Sequence, residues 1–521
     1  MKFIQGKDRS QTALFPVSLE QSVDRDNEVR LIDLFVSSLQ LEDFGFKTHF
    51  PENGRPAYHP AVLLKLFIYG YMNRIRSSRA LERECKRNIE LIWLLESRYP
   101  DHNTIANFRK DNPRAIKKVF HQTVKIARHF QLIGGLLIAG DSTKLRAQNS
   151  KKNNFNQKKI KRHLEYIDNK LEDYNKELAK ADKDRSEEDI HNDIDKHQKR
   201  KASYQKLQDQ LKESGSEQIS TTDPDSRHQI VRNNITEVCY TAQTTIDAKN
   251  NILIDYKITN QNDKKAMGMM LRRAKSILGS NRFTALYDKG YHTGSEFKIA
   301  EQLGIWTLVA IPGIGRASQA PDPAYNAEHF IYNSKTDTYT CPEGNTLTSN
   351  QTLYSARNYQ FKQYKTNACK LCPARAKCTN AKANGKIIQR TEFASCIENN
   401  ARRIARSQQL YKRRQAIVEH PFGTIKRQWG FDHILTKKGM DRASSDAGLI
   451  FTAYNLRRIF NIMGFNALMK AFYTFLNFLL ALKSFVKAFT TLISYFSLSK
   501  LTNSQKDHLH PNLYIYRLSL K

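Results

Sequence analysis

Residues 132–145 read LIGGLLIAGDSTKL, an apolar run broken by Gly140 and Asp141. Such a run reads as a buried strand with Asp141 at its end. Further along, Val238, Tyr240, Ala242, Thr244 and Ile246 alternate, DAKNN makes a turn, and Ile252, Ile254, Tyr256 and Ile258 alternate again. That pattern is an antiparallel hairpin. AMGMMLRRAKSIL is a helix, RFTALYDKGY a strand ending at Asp288, SEFKIAEQLG a helix stopped at Gly304, and WTLVAI a strand stopped by Pro312. Strand, hairpin, helix, strand, helix, strand is the order of a mixed-sheet α/β domain.

Upstream, residues 1–125 read as helical. HPAVLLKLFIYGYMNRI carries Pro60 at a first-turn position. SSRALERECKRN has serine caps, IELIWLLESRYP ends at a Pro, and DHNTIANFRKDN opens at Asn103 or Thr104. Arg79, Arg83, Lys86, Arg87, Arg109 and Lys110 across these helices suit a helix-turn-helix DNA-binding module, or equally a helical bundle with a solvated basic face. Between the first strand and the hairpin, Ile160, Leu164, Ile167, Leu171, Tyr174 and Leu178 recur at four and three, a heptad seam. Ile190, Ile194, Tyr204 and Leu211 fit a second helix, giving an antiparallel helical hairpin that could alternatively pair with a second chain. From 313 to 395 regularity fades and Cys concentrate. Residues 401–418, ARRIARSQQLYKRRQAIV, resume as helix, which Pro421 must end or kink.

Lys and Arg number 84 against 51 Asp and Glu, a net +33 spread along most of the 521 residues. Such a field favours a polyanion, nucleic acid first and an anionic membrane surface second. The start has no signal-peptide core, and seven Cys do not make a secreted disulfide framework, so a reducing, cytoplasmic interior is expected. The apolar stretch from Ile462 to Leu498 is cut by Lys470, Lys483 and Lys487. No run reaches the ~20 residues a bilayer needs, so a buried or partner-facing amphipathic helix is expected.

Residues 415–431, QAIVEHPFGTIKRQWGF, place one carboxylate, Glu419, in a basic and aromatic setting. Asp141 and Asp288 at strand ends of one sheet, with Glu419 on a helix packed against it, can form a carboxylate cluster. Three such groups repel unless cations occupy the site. Oxygen ligands favour Mg²⁺ or Mn²⁺, which serve phosphoryl transfer. Singly, each acid is more often a turn residue or a cap than a ligand. Cys341 in CPEG and Cys369, Cys372 and Cys378 in CKLCPARAKC suit a four-thiolate Zn²⁺ site, or a set of reduced, unliganded thiols. Cys396 is a possible substitute, while Cys85 and Cys239 read as core.

The pieces YHPAVLLKLFIYGYMNRIRSSRALE, DHNTIANFR, GDSTKLRAQNS, TDPDSR, LYDKGYH and VEHPFGTIKRQWGF, in that order over most of residues 55–460, resemble a bacterial insertion-sequence transposase of the DDE type. The resemblance implies a ribonuclease H-like mixed sheet with flanking helices and a helical N-terminal DNA-binding domain. It also implies Asp141, Asp288 and Glu419 as catalytic ligands of Mg²⁺ or Mn²⁺, and supports the zinc site. Tyr411, Arg414, Glu419 and Lys426 fit the Tyr-Arg-Glu-Lys signature of such enzymes, with four residues between Arg and Glu where many relatives have three. Arg427, Lys144 and Arg109 join Tyr411, Arg414 and Lys426 as expected DNA contacts. The chain divides into the DNA-binding domain (1–125), core segments at 126–150, 226–312 and 396–460, the inserted hairpin (151–225), the Cys-rich insertion (313–395) and an apolar tail (461–521). The expected partners are double-stranded DNA, both terminal inverted repeats and target, and a second copy of the chain on that DNA, at the nucleoid and without a membrane. A nuclease that cuts without joining, and an inactive DNA-binding repressor, are the rival functions.

Overall fold

The computed structural model describes residues 18–49, 56–179, 186–232, 235–381 and 385–474. The first part is helical: α1 (Glu28–Ser37), α2 (Pro60–Met72), α3 (Ser78–Arg87), α4 (Ile89–Leu94), α5 (His102–Asp111) and α6 (Pro113–His129). Pro60 starts α2, where a missing N–H costs nothing. Almost all of α2 is buried, Leu64, Leu66, Phe67 and Tyr71 completely, so it is a central helix of its bundle. The cap of α5 is Asp101, not Asn103 or Thr104. Its Oδ1 accepts the N–H groups of those two residues at 2.9 and 3.0 Å, and a cap must precede the donors it satisfies.

The central sheet is built from β1 (Leu137–Arg146), β2 (Arg227–Arg232), β3 (Ile235–Asp247), β4 (Ile252–Thr259), β5 (Thr284–Tyr287) and β6 (Trp306–Val309). Its order is β4–β3–β1–β5–β6, with β2 beside the first half of β3. β3 runs antiparallel to both β1 and β4, and β5 and β6 continue parallel to β1. Asp141 is not at a strand end as the sequence suggests; it sits in mid-strand. The antiparallel ladder with β3 persists from Ile138 to Arg146, so the acid does not terminate it. What stops there is the parallel ladder. Ala139 pairs with Leu286, and no pair with β5 follows it. Carried two residues on, that register sets Asp141 beside Asp288. Gly140 marks the opening, because a Cβ there would lie 1.9 Å from the buried Tyr287 ring.

Between β1 and β2, α7 (Gln157–Leu178) and α8 (Glu187–Glu213) pack on each other antiparallel. Ile160 and Ile167 of the expected seam are buried, and His163 stacks on Tyr204 with ring centroids 4.9 Å apart. The hairpin springs from a short strand pair, Asn154–Asn156 and Gln218–Ser220. α9 (Met267–Leu278) and α10 (Gly294–Gln302) link β4, β5 and β6.

The region 331–391 is regular, contrary to the sequence reading. Strands Ile331–Asn333, Thr338–Thr340, Thr346–Ser349, Tyr354–Ser355, Gln360–Lys365 and Ile388–Thr391 form a second, antiparallel sheet. Its small core is Phe330, Tyr339, Leu347, Tyr364 and Ile388. Asp337 accepts from Tyr332, Tyr364 and Lys362, which closes that core with hydrogen bonds. Strands of two to six residues carry too few alternations to be read.

α11 (Ala394–Arg406) and α12 (Gln408–Phe422) follow, then a π-helical turn Gly423–Gln428 and α13 (Met440–Met463). Pro421 lies inside α12, one residue before its end, and the helix widens directly after it. α13 runs through the molecule against α2, α5, α6 and β4. Its Asn455 is fully buried and spans two elements. Nδ2 donates to the Leu253 carbonyl at 2.9 Å and to Thr123 Oγ1 at 3.0 Å, and Oδ1 accepts from Leu253 N–H. Leu468 and Phe472 join the main core, and the expected C-terminal helix beyond residue 474 lies outside the described residues.

Candidate active site

Asp141 and Asp288 meet at Arg414 of α12, which packs across β1, β3 and β5. Arg414 Nη2 is 3.2 Å from Asp141 Oδ1 and 3.8 Å from Asp288 Oδ2. Its Nε is buried without a hydrogen-bond partner. Asp141 Oδ1 also accepts the Ser142 N–H at 2.8 Å, and Asp288 Oδ1 caps the turn Lys289–Tyr291 through Gly290 N–H at 2.8 Å. Burial pushes the Asp141 carboxyl up to about 6, with Asp288 and Asp263 adding to the rise and Arg414 and Ser142 N–H opposing it. A buried acid is raised chiefly because burial disfavours its charged form, and the neighbouring acids add to that. The two carboxylates thus converge on a cation, and the position suits a metal ion of like charge.

Tyr411, one turn before Arg414, donates to the Tyr287 carbonyl at 3.2 Å and bolts α12 to β5. Glu419 is exposed and accepts from Gln415 Nε2 at 2.9 Å. The structure does not bring it to the aspartates. Five residues beyond Arg414 at about 100° each place it roughly 140° round the helix from the guanidinium. The residue on Arg414's own side, four positions on, is the buried Val418. The extra residue in the signature therefore turns the acid toward solvent.

Lys426 is half-buried, and its Nζ donates to the Lys144 carbonyl at 3.2 Å; burial holds its ammonium below the usual lysine range. Lys144 Nζ donates to Thr241 Oγ1 at 2.9 Å. Side chains alternate along a strand, so Lys144 leaves the face of β1 opposite Asp141. Arg427 is exposed on the π-helical turn. Arg109 corrects the expectation of a DNA contact. It is 6% exposed, with Nη1 donating to Tyr71 Oη at 3.0 Å and to the Arg76 carbonyl at 3.1 Å. Its guanidinium belongs to a buried cluster around Asp446, so no phosphate reaches it.

Sequence reasoning missed Asp263. It sits in the turn after β4, where an Asp among TNQNDKK looks like any polar loop residue. Gln243 Nε2 donates to its Oδ1 at 2.7 Å, and Tyr291 Oη donates to Gln243 Oε1 at 2.5 Å. Through Gln243 this acid is tied to the floor of the same site.

Cys341, Cys369, Cys372 and Cys378 line one cavity of about 20 Å³. A Cβ at Gly385 would lie 2.2 Å from Cys369 Cβ, so the glycine leaves that thiol its place. Burial raises the Cys378 thiol, and the other three thiols add to it. The donor set matches a tetrahedral zinc site in type and number. Cys396 stands apart, donating to Glu301 Oε2 at 3.1 Å, and Cys85 and Cys239 are buried. Among the described residues, no three His, Cys, Asp or Glu side chains are drawn together closely enough to hold a metal ion as they stand. Among the same residues no helix is long and apolar enough to cross a membrane.

Residues 17–111 match a transposase domain family, DUF772, and residues 340–460 match a transposase DDE domain. No curated protein matches the chain. The first match covers α1 to α5, and the second covers the Cys cavity, Glu419 and most of α13. Together they support an insertion-sequence transposase of the DDE class, a DNA-processing enzyme. Asp141 and Asp288 lie between the two matched stretches, so neither match bears on them.

Proposed function

We propose that this chain, with transposase families matched at both ends of its described length, binds the ends of its own element and cuts and rejoins DNA strands by metal-dependent phosphoryl transfer. One observation carries the reading. Asp141 on β1 and Asp288, the residue just past the end of the parallel strand β5, converge on an arginine of the helix that also bears Glu419. The strand order β4–β3–β1–β5–β6, with three antiparallel and two further parallel strands, is the order that a ribonuclease H-like core requires, and it supports the same reading.

In this proposal Asp141 and Asp288 hold Mg²⁺ or Mn²⁺, which supplies Lewis-acid stabilisation of the phosphoryl oxygens when bound. Arg414 neutralises the two carboxylates in the free protein and passes to a phosphate of the scissile strand when they are otherwise neutralised. Glu419 joins the pair only if α12 rotates or rewinds, and the widened turn after Pro421 is where such a change costs least. Lys426 and Arg427 hold strand phosphates beside the site, Lys144 leaves the opposite face of β1 and takes no part there, and Tyr411 fixes the helix. The helices of 1–125 select the element end, and the segments 126–150, 226–312 and 396–460 form the core around them. Each end takes one copy, so the DNA complex holds two, at the nucleoid. The test is incubation of the purified chain with Mg²⁺, a duplex carrying the element's inverted repeats, and a target. Joined products are expected. Cut ends with no joined product would make the chain a nuclease, and intact DNA would overturn the proposal.

Two further outcomes follow. Affinity for end DNA should drop about 10³–10⁵-fold between 50 and 200 mM salt if 6–10 phosphates are contacted, measured by fluorescence anisotropy. A flat response would remove the electrostatic footprint from a +33 chain. The protein should also carry about one Zn²⁺ on Cys341, Cys369, Cys372 and Cys378. Cys372→Ser should lose it and loosen residues 331–391 to protease, whereas removing Mg²⁺ should leave that region intact. Elemental analysis finding no zinc in freshly purified, reduced protein would leave the four thiols as spectators.

A further inference from the structure

A cavity of about 620 Å³ lies at the foot of the α7–α8 hairpin, lined by Lys151, Asn154, Lys158, Lys161, Arg162 and His228 among others. Asn154 is 7% exposed, and its Nδ2 has no hydrogen-bond partner. A buried amide donor left unpaired costs about 1–3 kcal/mol, and native structures rarely tolerate it without a use. The cavity also faces the first turn of α7, the positive end of the helix dipole. Lys158 and Arg162 are exposed one turn apart on that helix. The acid on the lining, Glu165, is paired with Lys161 at 3.7 Å, and Glu237 is paired with Lys151 at 3.4 Å.

Lys159 has a different role. Its Nζ donates to the carbonyls of Lys151, Lys152 and Asn154 at 3.2, 2.9 and 2.8 Å and lies 4.4 Å from the centre of the Phe155 ring. It fixes the backbone that presents Asn154. Burial, then Lys151, then Lys159 hold the His228 imidazole below its ordinary value, against Glu237. The cavity is therefore a donor-lined, positively crowded pocket.

We propose that this cavity binds a backbone phosphate of the DNA duplex engaged at Asp141 and Asp288, through Asn154 Nδ2, Lys158 and Arg162. The inference rests on the reading of the chain as a DNA-acting enzyme. The distance fits. Lys151 follows Asp141 by ten residues, a span of at most ~35 Å. One turn of B-DNA is ~34 Å, or about 10 base pairs. A duplex leaving the active site along β1 can therefore present a phosphate to the hairpin base within about one turn of the cut.

The test uses the full chain and its Lys158→Glu/Arg162→Glu variant, both positions being exposed. Anisotropy with a 40-base-pair end duplex is measured across salt, and calorimetry with inorganic phosphate is run alongside. The variant should bind at least tenfold more weakly at 0.15 M salt, with the slope of log affinity against log salt reduced by about 1, the unit expected for one lost phosphate. Lys158→Arg/Arg162→Lys should keep both. Neutral methylphosphonates placed one at a time within one turn of the cut should include one that weakens the wild type and leaves the charge-reversed variant unchanged. An unchanged slope in the variant, with normal wild-type binding, overturns this proposal alone. Inorganic phosphate bound by the wild type and lost in the variant at equal duplex affinity overturns it too, in favour of a free-phosphate site. A wild type that binds no duplex overturns this inference and the function beneath it together.

Discussion

Asp141→Asn is expected to reduce strand cleavage by at least 10³-fold while leaving the affinity for end DNA within a few-fold of wild type. The substitution keeps the side chain's size and removes the charge that, in the function proposed above, holds the metal ion together with Asp288. Losing about 4 kcal/mol of transition-state stabilisation corresponds to 10³ in rate. The basic surface that holds DNA is untouched. The same variant should be more stable than wild type at neutral pH. In the folded chain the Asp141 carboxyl sits at about 6 against an ordinary 3.8, so the fold favours its protonated form. Stability from this group is present below the ordinary value and is lost as pH rises through the window from about 4 to about 6. With 21% of the side chain still open to solvent, the difference is worth no more than about 2 kcal/mol. Melting temperatures should coincide at the acid end of that window, diverge through it and stay apart above pH 6, the variant melting higher. Cleavage by Asp141→Asn at near wild-type rate in Mg²⁺ removes Asp141 from the site; Asp288→Asn should show the same loss.

Asp446→Ala is expected to cost about 3–5 kcal/mol of stability, a drop in melting temperature on the order of 10 °C. Asp446 is fully buried on α13. Its Oδ2 meets Arg76 Nη2 at 2.8 Å and Leu435 N–H at 2.7 Å, and its Oδ1 faces Tyr71 Oη and Arg109 Nη1, the latter at 3.7 Å. Burial pushes the carboxyl up, but Arg76, Arg109 and Tyr71 together hold it below the usual carboxylate range. Arg76 and Arg109 are only 7% and 6% exposed and already leave some nitrogens unpaired. Without Asp446 two guanidiniums would stay buried with no anion, the costly case for an ion pair. Asp441→Ala, an exposed acid on the same helix, should change stability by less than about 0.5 kcal/mol. Equal melting of the Asp446 and Asp441 variants would show that this cluster does not join the N-terminal helices to the rest.

The central sheet was legible because each strand carries its own pattern. β3 and β4 alternate apolar residues in the sequence, and β5 and β6 are short apolar runs closed by Asp288 and before Pro312. The second sheet was not, because a core of three tyrosine and phenylalanine rings with Leu347 and Ile388 is held by Asp337 and Arg390 rather than by runs of aliphatic residues. Asp141 and Asp288 could be picked out from strand context, and their meeting follows from register. Arg109 could not be told from a surface arginine, since burial of a charge depends on a partner in residues 440–463, far along the chain. Glu419 shows a finer limit. The sequence reveals one residue too many between Arg414 and the acid, but only a helix axis turns that count into an angle. Asp263 carried no signal at all, being a turn acid among other polar residues.

α13 also sets the timetable of biosynthesis. Its residues fill the space between α2, α5, α6 and β4 and supply the anion for Arg76 and Arg109. Those partners leave the ribosome long before it does. At 5–20 residues per second, the stretch from Arg109 to Asp446 takes roughly 15–70 s to synthesise. During that time the N-terminal helices and the first strands carry an unfilled apolar trough and two unpaired cations. A nascent chain in this condition needs chaperone cover. A message cut short before α13 yields a polypeptide that cannot close its fold, so truncated copies of the gene should give products that are degraded rather than inhibitors that compete for element ends.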